Sequence, residues 1–165
     1  MTTTVIEYVL KRLQQLGIKD VFGVPGDYAF AINDAICNAP DMRWIGCTNE
    51  LNAAYAADGY ARVKGMAAVC TTYGVGELSA INAIAGSYAE HLPIFHLVGM
   101  PNMSTQNARA TIHHTLGNGD YDLFRRMTEP VVVAHAVMTP QNVVYETERL
   151  ITEALFHRRP VYMAF

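Results

Sequence analysis

Four side chains of the kind that move protons stand out by their surroundings. Glu50 lies in the run TNELNAAYAADGYARVKG, residues 48–65. An apolar stretch, Arg43–Cys47, precedes it and an alanine-rich segment follows. The pattern predicts a carboxylate in the first turn of a helix, at the carboxyl end of a strand. In open α/β sheets that edge is where ligands bind. The small neighbours let a bulky group pack close to it. Asp27 follows Pro25-Gly26 and precedes another helical stretch, a place where Asp also serves as an N-cap. His113 and His114 adjoin on a polar loop, with Gly117 and Gly119 just beyond. Neighbouring imidazoles disfavour double protonation, which suits proton transfer near neutral pH. They lack a third His and the HExxH spacing, so no metal site is expected among them.

The elements that must hold these residues alternate between helix and strand. Val5, Tyr8, Val9, Arg12, Leu13 and Leu16 recur at helical spacing, with Gly17 as the stop. Strands are expected at Asp20–Val24, Arg43–Cys47, Met66–Thr72, Pro93–Gly99, Pro130–Ala134 and Pro160–Phe165. Helices are expected at Thr4–Leu16, Tyr28–Cys37, Asn49–Val63, from the 73–78 turn to about His91, at Tyr121–Met127 and at Pro140–His157. Met66–Thr72 is apolar almost throughout, as a central parallel strand should be. Met100–Asp120 reads as a long connection rich in Asn, Thr, Gly and His, and such loops are usually functional or mobile. The fold class that follows is α/β: a doubly wound parallel sheet of about six strands with helices on both faces. Its active edge collects 25–27, 48–50, 73–77 and the loop that carries the two histidines.

The glycine turn GVGE (74–77) lacks the third glycine of GxGxxG and the GK[ST] of a P-loop. Glu77, read as a helix-start carboxylate, would repel a phosphate. Close backbone approach to an uncharged ring is the better functional reading, beside the plain one of a tight strand-to-helix turn. Asp58 and Arg62, four apart, are expected to pair along their helix. Glu90 reads as a solvated helix residue, and His91, His96, His135 and His157 as structural.

Composition narrows the class. The 165 residues suffice for one domain, read as a single unit over 1–165. Charged residues are only 16% of the chain, below the usual quarter, so part of the surface is expected to be covered by another domain or subunit. The net charge of −3 and the absence of a basic cluster argue against nucleic acid. No apolar run is long enough for a membrane span. Cys37, Cys47 and Cys70 have no CxxC spacing and read as buried, reduced thiols in a cytoplasmic protein. The apolar strand at 159–165 has no polar tail, which suggests a piece of a longer protein.

Taken together, GVPGDY (23–28), NELNAAYAADGYAR (49–62), GVGELSA (74–80), GSYAEH (86–91) and HHTLG (113–117) resemble thiamine-diphosphate-dependent 2-oxo acid decarboxylases. The match is to their amino-terminal pyrimidine-binding domain. It looks nearest to the indolepyruvate/phenylpyruvate branch, with pyruvate decarboxylase next. The resemblance covers essentially the whole chain, and five motifs in order make it specific. It implies that Glu50 hydrogen-bonds a pyrimidine ring nitrogen and so activates the cofactor, which serves as electron sink. It places Pro25, Val75 and Asn82 along the pyrimidine pocket, Val75 most plausibly by position. It makes Asp27, His113 and His114 an acid–base cluster that orients the substrate carboxylate and handles protons after CO2 loss. Thr71 and Thr72 end the central strand, either facing substrate or closing the core.

Where many relatives carry Asn-Leu after the tyrosine of the turn, this chain has Ala29-Phe30, and Met103–Thr111 is also idiosyncratic. Substrate choice among indolepyruvate, phenylpyruvate and pyruvate therefore stays open. The resemblance further implies that Mg2+ and the diphosphate are held by a GDG…N motif in a domain absent from this chain. It implies a homodimer or homotetramer in which that domain comes from a second subunit, with an isolated chain that is inactive. Two other readings stand beside this one. A carboligating relative such as an acetolactate synthase is disfavoured by the histidine pair. A non-catalytic α/β binding module would make Glu50 a helix-end carboxylate and the histidines loop residues.

Overall fold

The structure, a computed structural model, describes residues 3–165. Six strands form one sheet: β1 (Asp20–Gly23), β2 (Arg43–Gly46), β3 (Ala67–Thr72), β4 (Ile94–Gly99), β5 (Ala134–Val137) and β6 (Val161–Ala164). Their order is β2-β1-β3-β4-β6-β5, and every pair is parallel. The helices are α1 (Val5–Gln15), α2 (Phe30–Asn38), α3 (Glu50–Lys64), α4 (Val75–Ala89), α5 (Met103–Asn107), α6 (Leu123–Thr128) and α7 (Val143–His157). The doubly wound α/β class read from the sequence is the observed one.

Burial explains the layering. β3, β4 and β6 are buried along their whole length and largely apolar, with Thr71, Thr72 and His96 as buried polar exceptions. One face packs α1, α2 and α7 through Leu10, Leu13, Ile36 and Leu150. The other packs α3 and α4 through Ala53, Ala57, Ala61, Ala80, Ala83 and Ile84. Alanine, glycine and serine at most inward positions let α3 and α4 lie close to the sheet and to each other. Asp58 fastens them: it accepts from Ser87 Oγ at 2.7 Å and pairs with Arg62 at 2.7 Å, the latter as expected.

Local chemistry sets the ends. Thr4 and Glu7 form a reciprocal capping box on α1. Asn49 caps α3 by accepting from the Asn52 amide at 2.9 Å, and Gly65 at φ 92° closes that helix. Among the described residues, no helix is long and apolar enough to cross a membrane.

Three expectations need correction. β5 spans Ala134–Val137, not Pro130–Ala134, because Glu129–Val131 forms a single 3-10 turn built on a proline that lacks a ladder donor. The second helix opens with a 3-10 turn at Asp27–Ala29 before α2 begins at Phe30. Cys37 is exposed and Cys47 half-buried, and only Cys70 is fully buried.

Candidate active site

The sheet order reverses direction between β1 and β3. Their carboxyl ends flank the crevice where α/β sheets take ligands. Thr72, the last residue of β3, sits at its centre. A Cβ at Gly26, in the turn after β1, would overlap the Thr72 side chain. A Cβ at Gly76, in the first turn of α4, would lie 3.1 Å from both Thr72 Cγ2 and Glu50 Oε1. Two glycines thus let the Asp27 turn and the Glu50 carboxylate close on one threonine. Thr72 Oγ1 is buried without a hydrogen-bond partner. Thr71 faces the interior instead, its hydroxyl 2.9 Å from Nε2 of the buried His96. Burial pushes that imidazole down to about 3, so it is neutral, in line with the structural role expected of it.

Asp27 is not an N-cap. The turn it opens has no side-chain cap bond. Its Oδ2 lies 2.6 Å from His113 Nε2, joining residues 86 apart in sequence. The His113 ring stacks on Tyr28 at 4.9 Å between centroids, and the Tyr28 hydroxyl reaches the His113 carbonyl oxygen at 3.2 Å. His114 turns edge-on to His113 at 4.6 Å, with its backbone in the left-handed region at φ 61°. Its Nδ1 is buried and unpartnered. The carbonyl oxygen of His114 fills the space a Cβ would take at Gly74, whose φ is 68°. Glycine is required there both for the left-handed turn and for that approach. The histidine loop is therefore seated on the glycine turn and on Tyr28.

The structure brings together Glu50, Asp27, His113 and His114, with Val75 half exposed where α4 begins. Pro25 is exposed on the same edge. Asn82 is not drawn in by any contact here. It lies two turns along α4, where its Oδ1 accepts from Tyr55 at 2.6 Å. Tyr28 and Glu77 were not among the site residues expected from the sequence, whereas Thr72 was, as one of two strand-end threonines that either face substrate or close the core. Tyr28 and Gly74 were signalled only by lying inside the motifs. Glu77 is the helix-start carboxylate expected, in the first turn of α4. It is fully buried, and desolvation raises it to about 7. Ala29 packs inward against Gly99 while Phe30 is exposed, so of that unusual pair only Phe30 meets solvent.

A carboxylate and a hydrogen-bonded Asp–His couple thus stand together at the switch point of a parallel α/β sheet, where such folds take ligands. Residues 3–124 match the thiamine pyrophosphate enzyme N-terminal TPP binding domain, and the chain belongs to that family. It is 51% identical over 160 residues to an alpha-keto-acid decarboxylase of Mycobacterium ulcerans. It is 50% identical over 161 residues to a pyruvate decarboxylase of Kluyveromyces marxianus. Each alignment covers 97% of this chain but only 28% of the relative. In structure it matches a thiamine diphosphate-dependent 4-hydroxybenzoylformate decarboxylase of Rhodococcus jostii RHA1. That match has a TM-score of 0.83 at 25% identity and covers 98% of this chain and 30% of that one.

The residues present fit the coenzyme's ring end. The gap at Gly76 leaves Glu50 Oε1 approachable, Val75 offers an apolar wall, and Thr72 Oγ1 is an orphaned buried polar atom at the centre. A flat heterocycle with one basic nitrogen suits such a cradle. Donor atoms of Asp27, His113 and His114 lie within 4.8 Å of one another. That mixed nitrogen–oxygen set does not suit Mg2+, which takes oxygen ligands.

Proposed function

We propose that this chain is the pyrimidine-side half of the active site of a 2-oxo acid decarboxylase. The observation that carries the proposal is the convergence on Thr72 of Glu50 and of the turn bearing the Asp27–His113 couple. In the net reaction a 2-oxo acid loses CO2 by cleavage of its C1–C2 bond, and a proton takes the vacated position to give an aldehyde. The coenzyme, when bound, supplies the electron sink. Glu50 shares a proton with its ring nitrogen, and Val75 and Pro25 bound the ring, with Asn82 further along the same helix. Asp27 and His113, 2.6 Å apart, hold one proton between them and deliver it to the carbon that has lost CO2. His114 orients the substrate carboxylate beside them.

Mg2+ and the diphosphate belong, on this reading, to a domain outside this chain, supplied by the second subunit of a cytoplasmic homodimer or homotetramer. The exposed apolar side chains of Leu51, Tyr55, Val63 and Val75 on α3 and α4 support a covered face. The test is CO2 release by the longer protein from pyruvate, phenylpyruvate and indolepyruvate. Turnover of at least one is expected, with Glu50→Gln lowering kcat by about 100-fold or more, the scale of a lost proton-transfer group. The 165-residue chain alone is expected to release none. Wild-type turnover by Glu50→Gln, or CO2 release by the isolated chain, overturns the assignment.

A further inference from the structure

Glu77 is a buried carboxyl group with no ion pair among the described residues. Its two oxygens are used separately. Oε1 accepts from the Gly74 amide at 2.8 Å, and Oε2 accepts from the Tyr162 hydroxyl at 2.8 Å. One end of this bridge is β6, an interior strand between β4 and β5. The other end is the glycine whose missing Cβ makes room for the His114 carbonyl oxygen. The contacts then run on from His114 to the His113 ring, and from there to Asp27 and Tyr28. A helix-start carboxylate that only capped α4 would need no buried phenol as a second partner.

We infer that Glu77 is a positioning residue, a clamp between β6 and the glycine turn that sets where the His113-His114 loop sits. This rests on the proposed acid–base role of that loop only for its catalytic meaning, since the clamp itself is visible without turnover. The groups that face it are few. Tyr162 on β6 and Tyr73, just past the end of β3, are phenols raised by burial. His96 on β4 stands edge-on to Tyr162 at 5.6 Å. From α6, Arg125 acts on Tyr162, and from the loop before it Asp120, Tyr121 and Asp122 act on Tyr73. None of these forms an ion pair with Glu77.

Nuclear magnetic resonance of the 165-residue chain, labelled on amide nitrogen and histidine rings, reads the clamp directly. In the wild type the Gly74 amide signal is expected to show an inflection near pH 7, where Glu77 ionises. Glu77→Gln keeps an acceptor for Gly74 and is expected to abolish the inflection while leaving the His113 and His114 ring signals near their wild-type positions. Glu77→Leu is expected to move both ring signals, with that of His157 on α7 unmoved. If Glu77→Leu does not fold, Tyr162→Phe decides by the same criterion, since it removes one hydroxyl. A folded Glu77→Leu or Tyr162→Phe with unmoved His113 and His114 signals, or an inflection of the Gly74 amide that persists in Glu77→Gln, overturns the clamp. In the longer protein the clamp predicts a fall in kcat for Glu77→Leu, largely restored in Glu77→Gln. Absence of any decarboxylation there would count against the proposed function and leave the spectral result standing.

Discussion

Gly76 decides how close Glu50 comes to the crevice. Alanine at that position would place its methyl 3.1 Å from both Glu50 Oε1 and Thr72 Cγ2, so one neighbour must give. Glu50 is at the mobile end of a side chain and Thr72 is locked in β3, so Glu50 moves. Gly76→Ala is expected to cost about 1 kcal/mol of stability, within the range for mild overpacking. It is expected to reduce cofactor-dependent turnover of the longer protein far more than it shifts urea unfolding. Cysteine chemistry gives a simpler check at the same scale. The Cys70 thiol is buried and pushed up to about 12, whereas Cys37 is exposed. Iodoacetamide at pH 8 is expected to label Cys37 first and to leave Cys70 untouched until the chain unfolds. Glu50, Asp27 and the two histidines were legible because each stands in an unusual local setting. Glu77 was not, because the partner that defines it, Tyr162, lies 85 residues away and no local spacing announces it.

Among the elements, α3 carries the site most directly, because Glu50 is its first residue. The Asn49 side chain holds that turn through the Asn52 amide. Asn49→Ala is expected to cost about 1 kcal/mol in urea unfolding, the usual worth of such a cap. Asn49→Asp should retain most of it. Most of the elements followed from periodicity, because buried parallel strands and amphipathic helices leave opposite patterns. The exception is instructive. Val131, Val132 and Val133 are β-branched and read as strand, but the preceding Pro130 commits the segment to a 3-10 turn. The strand then starts at Ala134, where the backbone can pair with β6. The loop that bears the histidines stood out by its length and composition. Its seat was not legible, because a carbonyl oxygen packed on Gly74 leaves no residue-type signature.

At the scale of the whole molecule, two buried groups on neighbouring elements pull the pH dependence of stability in opposite directions. Glu77 is raised from 4.5 to about 7 in the fold. Between those values the folded state holds a proton that the unfolded state has lost, so its contribution to stability falls as pH rises. The full shift is on the order of 3 kcal/mol. His96 is lowered from 6.5 to about 3. Between those values the unfolded state holds the extra proton, so its contribution falls as pH drops, with a full shift on the order of 5 kcal/mol. From pH 4.5 to 6.5 one proton is gained and one lost on unfolding, and the two slopes cancel. Glu77→Gln removes one side of this balance. Chemical denaturation across pH 4 to 8 is expected to show the variant gaining on the wild type steadily above about pH 4.5. The gain should level off above about pH 7, near 3 kcal/mol relative to its value at pH 4. Every other titrating group is common to both proteins and drops out of the difference. A wild-type minus variant difference that stays constant over this range would show that Glu77 is not held protonated by its burial. The His96 slope would then stand uncompensated.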